Sequence, residues 1–343
     1  MRRAESNPRN RFQEAHLEWL EEPPEVELEI QEVESKSILS RNDSPDLSFS
    51  YSANPYQGCY HGCAYCYARP THQYLGMGAG TDFERKLMVK TNAPALLREA
   101  FAKRSWRGEC VVFSGNTDCY QPLEANYRLT RQCLEVCLEH RNPVAVITKG
   151  GVVLRDVELL AELAKHCAVT VYLSVAFADD ETRKLIEPFA APIEKRFEAM
   201  RRLSEAGVTT GIALAPVIPG LNDAHVLPLL QRAKQAGAQQ AFLTLVRLAT
   251  EVKPVFLERI GQVLHPERVE KIVHALEEAR DGNLSETRFG VRMRGRGKRW
   301  ELIEQLFETQ CRRLGLNQRE VGTHRGPAQT FKRPTRQLGL FEE

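Results

Sequence analysis

Three cysteines fall within eight residues in the stretch NPYQGCYHGCAYCYARP, Asn54 to Pro70: Cys59, Cys63 and Cys66, at spacings of four and three. A closed structural zinc site takes four ligands, usually as two separated pairs. This chain offers one compact triplet and no clean partner pair. His61 could be a fourth ligand, but it lies inside the triplet, where closure on one ion would strain the loop. Three thiolates instead suit three irons of a four-iron cluster, which leaves the fourth iron free to bind something else.

The rest of the composition fits such a centre. Nine cysteines, an odd number, stand in a chain of 343 residues with 42% hydrophobic and 27% charged residues. That length is enough for one large α/β domain or two small ones. No apolar run is long enough to span a bilayer, and the opening MRRAESNPRNRF is polar throughout, unlike a signal peptide. The expectation is a cytoplasmic protein with no membrane partner, in a compartment where thiols stay reduced and serve metal or redox chemistry rather than disulfides.

A loop of this kind has to be held by something rigid. Short apolar runs rich in β-branched residues recur from about Ser48 onward: Leu47–Pro55, Cys110–Gly115, Pro143–Gly150, Val169–Phe177, Thr209–Ile218 and Gln240–Leu248. They read as buried parallel strands. Amphipathic stretches lie between them, several ending at a glycine such as Gly207 or Gly237. Six βα units with right-handed crossovers predict an α/β fold, a partial (β/α)6 TIM-type barrel. Chemistry in such barrels sits at the C-terminal ends of the strands, and the cysteine loop follows the first strand. Around this core (residues 47–257) the expected organisation is an irregular acidic arm over residues 1–46, a helical basic extension over 258–320, and a disordered tail over 321–343.

The formal net charge of +2 conceals an asymmetry. Glu18 to Glu34 is acidic, whereas the chain beyond Arg288 is rich in arginine. A local basic cluster points to a polyanionic partner. Arg294, Arg296, Lys298 and Arg299 are the expected nucleic-acid contacts; a solvated surface is the plainer reading.

The pattern Cys-x3-Cys-x2-Cys, with aromatic Tyr65 before the last cysteine, resembles the radical S-adenosylmethionine (SAM) superfamily. The resemblance implies a [4Fe-4S] cluster on Cys59, Cys63 and Cys66, SAM chelated at the open iron, and reductive cleavage of SAM to a 5′-deoxyadenosyl radical. It also implies an electron donor such as flavodoxin or ferredoxin. The segments SGNTDCYQP, ITKGG, IEPFAAPIEKRFEAMRRLSEAGVTTGIALAPVIPGLND and LTLVRLATEVKP further resemble spore photoproduct lyase and its relatives, in the same order, over roughly Ser50 to Leu257. That family splits a thymine–thymine lesion in DNA.

The resemblance implies SAM contacts from Tyr65, from the loop Asn116, Thr117 and Asp118, from Lys149 and Ser174 at consecutive strand ends, and from Pro216, Ile218 and Gly220 beside the adenine. One position departs from the lyase. Ser114 or Gly115 stands where the lyase needs a cysteine that returns a hydrogen atom to the product radical. Cys119, with Tyr120 behind it, is the candidate donor by a shifted register; a small buried thiol is the alternative. The tail segment Gln337-Leu338-Gly339-Leu340-Phe341 resembles the peptide by which bacterial repair proteins dock on the sliding clamp, with Gln337, Leu338, Leu340 and Phe341 as anchors. The combined expectation is a radical SAM enzyme acting on nucleic acid, in DNA repair or base modification. Radical chemistry on RNA, a peptide or a small molecule is the enzymatic alternative. A clamp-tethered DNA-binding protein with a structural or redox-sensing cluster is the non-enzymatic one.

Overall fold

The computed structural model describes residues 2–3, 6–13, 25–318 and 328–333. Six strands run parallel and neighbour one another in chain order: Tyr51–Ala53, Val111–Phe113, Val144–Thr148, Val169–Ser174, Thr209–Val217 and Gln240–Leu245. All six lie within the stretches expected from the apolar runs. Their side chains, among them Phe113, Val146, Leu173, Ile212 and Leu214, form the buried core. Helices Ala93–Ala102, Leu129–His140, Val157–Ala164, Ile193–Glu205 and Val226–Gln235 make the crossovers. The sixth strand is not paired with the first, so the barrel stays open.

Two free edges result, and the chain covers both. The first strand pairs antiparallel with Leu39–Arg41. At the other edge, the Asn317 side chain accepts from the Ala241 N–H at 2.8 Å and donates to the Ala241 carbonyl at 2.9 Å. One side chain thus stands in for a ladder partner, which blunts an exposed edge. The helix before it, Gly297–Leu314, packs against the crossover helix Val226–Gln235.

Two expectations need correction. The acidic arm is not irregular in its second half. Besides Leu39–Arg41, Glu29–Val33 is a strand paired in parallel with Lys86–Lys90. Its sequence alternates apolar and acidic residues (Val26, Leu28, Ile30), which is strand periodicity, yet Leu28 and Ile30 stay exposed, so backbone pairing holds it rather than burial. Residues 328–333, expected to be disordered, dock on the N-terminal side of the barrel. The Phe331 ring stacks on His140 and meets Phe101 edge-on, and Lys332 and Arg333 bond to carbonyls of His140 and Trp106. One aromatic anchor and four backbone-directed bonds suffice without any periodic apolar pattern. The anchors Gln337, Leu338, Leu340 and Phe341 lie outside the described residues. No helix is long and apolar enough to cross a membrane among the described residues.

Candidate active site

The cysteine loop leaves the top of the first strand and is tied down on every side. Asn54 Oδ1 accepts the N–H groups of Asn116 and Thr117 at 2.9 and 3.3 Å, which joins the loop's start to the second-strand loop. Buried Gln121 accepts from the Tyr60 N–H and donates to the Gly58 carbonyl. Gly58 turns the chain at φ +76°, and a Cβ there would sit 2.7 Å from Leu87 and 2.9 Å from the Phe83 carbonyl. An L side chain is excluded twice, by conformation and by space. Arg69, fully buried, donates to the Cys63 carbonyl at 2.8 and 3.1 Å and to the Ala79 and Gly80 carbonyls, and it pairs with Glu84.

Asp118 is the hinge of the arrangement. Its Oδ1 accepts from the Thr148 hydroxyl and the Tyr120 N–H; its Oδ2 accepts from the Lys149 N–H and pairs with His61 Nδ1 at 3.3 Å. Burial pushes this carboxyl up, but His61, Lys149 and Thr148 together outweigh it and hold it at about 2. The loop with the cysteines, the second-strand loop and the third-strand end thereby converge on one carboxylate. Gly150 allows that convergence: a Cβ there would lie 2.0 Å from the Tyr120 carbonyl.

A second network supports the last cysteine. The Tyr65 hydroxyl donates to Glu187, whose other oxygen accepts from Arg196 at 2.7 Å; Arg196 also donates to the Ser174 carbonyl at 2.8 Å. Glu187 and Arg196 are both fully enclosed. Burial disfavours the Glu187 charge, but Arg196 and Lys149 keep its carboxyl below the ordinary value. The Lys149 ammonium lies 5.6 Å from the centre of the Tyr65 ring. Burial opposes that charge too, while Cys63 and Glu187 hold it above its usual value.

The donor set fits an iron–sulfur cubane. Cys59 and Cys63 are buried and Cys66 is half-buried, and all three are free thiols. Burial raises each of them, Cys63 to about 12 even with Lys149 nearby. A thiolate is therefore costly here without a metal to take the place of the proton. Among the described residues no three Cys, His, Asp or Glu side chains converge tightly enough on one point for a single ion. Cubane thiolates bind separate irons and need no such convergence.

The other expected residues fall as follows. Lys149 and Ser174 end neighbouring strands, and the Ser174 hydroxyl donates to the Ala215 carbonyl at 3.1 Å. Thr117 is buried and bonded to the Tyr56 carbonyl, and Asn116 is half-buried. Pro216 and Ile218 are buried, with Gly220 beside them; Asn222 clamps that turn through the Ile218 N–H and the Pro216 carbonyl. Cys119 and Tyr120 are 1% and 0% exposed within the core, where the Tyr120 N–H donates to Asp118 and the Cys119 carbonyl accepts from the Thr130 hydroxyl. Of the basic group, Arg296 pairs with Asp281 and Arg299 with Asp223, whereas Arg294 and Lys298 are exposed with no such pair among the described residues.

Sequence reasoning gave no role to Glu187, Arg196, Arg69 or Arg247. Glu187 and Arg196 lie inside the IEPFAAPIEKRFE stretch, whose charges in an otherwise apolar context were the available signal. Arg247 follows the sixth strand, where segment 288–296 is stitched on: the Leu245 N–H donates to the Met293 carbonyl, and Arg280 donates to the Val246 and Arg292 carbonyls. Arg292 is fixed by Asp46 at 2.5 Å and Ser44 at 2.7 Å, and its guanidinium lies 4.2 Å from the exposed Phe289 ring. Across the mouth stands Tyr67, next to Cys66, half exposed, with its hydroxyl donating to the Gly115 carbonyl.

Comparison with known proteins agrees with this geometry. The chain is 34% identical over 247 residues to an uncharacterized protein of Mycobacterium tuberculosis, covering 71% of this chain and 72% of that one. It is 24% identical over 241 residues to the Radical SAM Nalpha-GlyT isomerase of Pseudomonas phage M6, covering 69% of this chain and 48% of that protein. Among solved structures it is similar to a mutant spore photoproduct lyase with bound AdoMet and dinucleoside spore photoproduct: TM-score 0.60, 15% identity, 84% of this chain and 80% of that one. That likeness shows a shared fold. Residues 53–233, from the end of the first strand through the fifth crossover helix, match the family described as the Radical SAM superfamily. With its cysteine loop on a partial barrel, the chain belongs to the radical SAM superfamily, whose members use a [4Fe-4S] cluster and SAM.

Proposed function

We propose that this chain is a radical SAM enzyme whose substrate is a nucleic acid, with repair or modification of DNA as its role. The observation that carries the substrate reading is the rim of the barrel mouth. At the end of the sixth strand, segment 288–296 presents exposed Phe289 and exposed Arg294, with Arg292 stacked on the Phe289 ring. Aromatic faces with arginines are the groups that take stacked bases and phosphates. The similar fold of a protein solved with a dinucleoside photoproduct supports the same class of substrate.

In this reading Cys59, Cys63 and Cys66 hold the cluster. Lys149 and Ser174 bind SAM, together with the second-strand loop at Asn116 and the turn at Pro216–Gly220. When bound, the two cofactors supply a 5′-deoxyadenosyl radical. The protein's own contribution is positional. The Glu187–Arg196 pair fixes Tyr65, Asp118 fixes the strand ends, and the enclosed loop excludes water from the radical. Asp118 and Thr117 act from inside the protein, since their polar atoms are already bonded. Lesion splitting of the lyase type is the narrower proposal, and the burial of Cys119 counts against that thiol as its hydrogen donor. A flavodoxin or ferredoxin as reductant and docking of the tail on a sliding clamp are the partner proposals.

The test is incubation of ultraviolet-irradiated and intact DNA, and of RNA, with reduced enzyme and SAM, followed by nucleoside mass spectrometry. A SAM-dependent change in any nucleoside is the expected outcome. No change in DNA or RNA, with SAM still consumed, would move the substrate to a peptide or small molecule.

A further inference from the structure

We propose that Arg247, at the end of the sixth barrel strand, binds an anionic group of the substrate, a backbone phosphate on the nucleic-acid reading above. The inference deepens that reading and rests on it for the source of the phosphate.

The sixth strand ends at Leu245, so Arg247 stands just past the strand end, on the side of the barrel where chemistry is done. It lies within electrostatic reach of the Tyr67 hydroxyl of the cysteine loop, one residue from Cys66. A group held by Arg247 therefore sits at the mouth beside the reactive loop.

The groups around Arg247 are Arg292 and Arg280, Asp46, and the Tyr67 hydroxyl. Each of the others is already committed. Asp46 takes Arg292 and the Gly290 N–H, Arg280 donates to three carbonyls, and Tyr67 donates to Gly115. Arg247 alone in this group has no ion pair and no hydrogen bond among the described residues, and its Nε is buried. Its Nε–H is shut away from solvent with no acceptor, an unfavourable arrangement that an anion reaching the guanidinium would complete. Burial and the Arg292 charge depress its ionisation, and an incoming anion relieves both. A phosphodiester matches the fork, because two of its oxygens can accept parallel N–H groups. The exposed ring of Phe289, under Arg292, is then placed for the adjoining base.

Two probes test this on anaerobically reconstituted holoenzyme carrying saturating SAM. The first is a fluorescein-labelled single-stranded oligodeoxynucleotide followed by anisotropy across salt. Loss of a charge-assisted pair in Arg247→Gln should weaken binding about tenfold or more. The salt slope should fall by about one, with partial recovery in Arg247→Lys. The second is inorganic pyrophosphate followed by thermal unfolding. It should stabilise the parent and not the Gln variant. If the parent binds no oligonucleotide but is protected by pyrophosphate through Arg247, the anion site stands and the nucleic-acid reading falls. If both probes act equally on parent and Gln variant, the proposal is overturned. It is also overturned if omitting SAM strengthens pyrophosphate protection, since the anion would then be occupying the cofactor's place. Matching iron content and unligated Tm certify the fold. Should the Gln variant fail that check, Arg247→Lys must still bind both probes more weakly than the parent, or the proposal fails.

Discussion

Glu187 takes bonds from Tyr65 on the cysteine loop and from Arg196 beneath the fourth-strand end. Removing one charge from an enclosed ion pair typically costs about 3–5 kcal/mol, because the partner is left uncompensated. Glu187→Gln should therefore lower Tm and, because Tyr65 precedes Cys66, should reduce the iron retained after reconstitution. Calorimetry and iron analysis on one preparation check this; an unchanged iron content would separate the network from the cluster loop. Cys119 makes the opposite case. As a 1% exposed thiol in the core, Cys119→Ala should destabilise the fold modestly and leave product yield per SAM cleaved unchanged. Accumulated side products from that variant would restore the donor role expected from the sequence.

At the scale of elements, the basic segment 288–296 is tied to the sixth strand by the Leu245–Met293 bond and by Arg280, and its outer part to Asp46, which accepts from Arg292 and the Gly290 N–H. Burial pushes the Asp46 carboxyl up, but those two donors prevail and keep it below 3.8. An acid with a depressed folded value contributes stability that is complete above the unfolded value and is lost as pH falls through the folded one. Exchange protection over residues 289–296, taken relative to the intrinsic rate at each pH, should accordingly fall below about pH 4. Asp46→Asn should produce the same loss of protection at pH 7. Equal exchange in parent and variant at pH 7 would show that the segment is held elsewhere. The strap at residues 328–333 invites a similar test. Phe331 lies against Phe101, His140 and Gly108, and truncating a large aromatic in such a seat costs roughly 3 kcal/mol when burial is complete, less here. Phe331→Ala should lower the urea midpoint without altering the cluster spectrum.

Over the whole molecule, the barrel was legible in the sequence because each buried parallel strand is a short β-branched run, and six of them alternate with amphipathic helices. The cysteine triplet was legible because thiol spacing is local. The supports were not. Asn54 and Gln121 act through partners 60 or more residues away, Glu187 joins its near neighbour Arg196 to distant Tyr65, and Arg247 works among loops brought together by closure of the barrel, so local pattern records these roles at best in part. The strap escaped for a related reason: one phenylalanine in a polar tail carries no periodicity, and its seat is built from Phe101 and His140 far up the chain. The charge asymmetry was visible, but folding spends part of it, since Arg292, Arg296 and Arg299 have carboxylate partners. Nucleic-acid binding should thus follow the unpaired cations: Arg294 and Lys298 replaced together should reduce the salt slope by about two, and Arg296 with Arg299 by less.

The central claim is that the buried thiols, Lys149 and the strand ends together form a SAM-cleaving centre. Its direct test is the 5′-deoxyadenosine released from SAM by anaerobically reconstituted, dithionite-reduced protein, measured by chromatography for the parent and for Cys63→Ala. The account predicts release by the parent, loaded with about four irons per chain as a cubane requires, and none by the variant. A fully loaded parent that releases no 5′-deoxyadenosine, or equal release from both proteins, would contradict it.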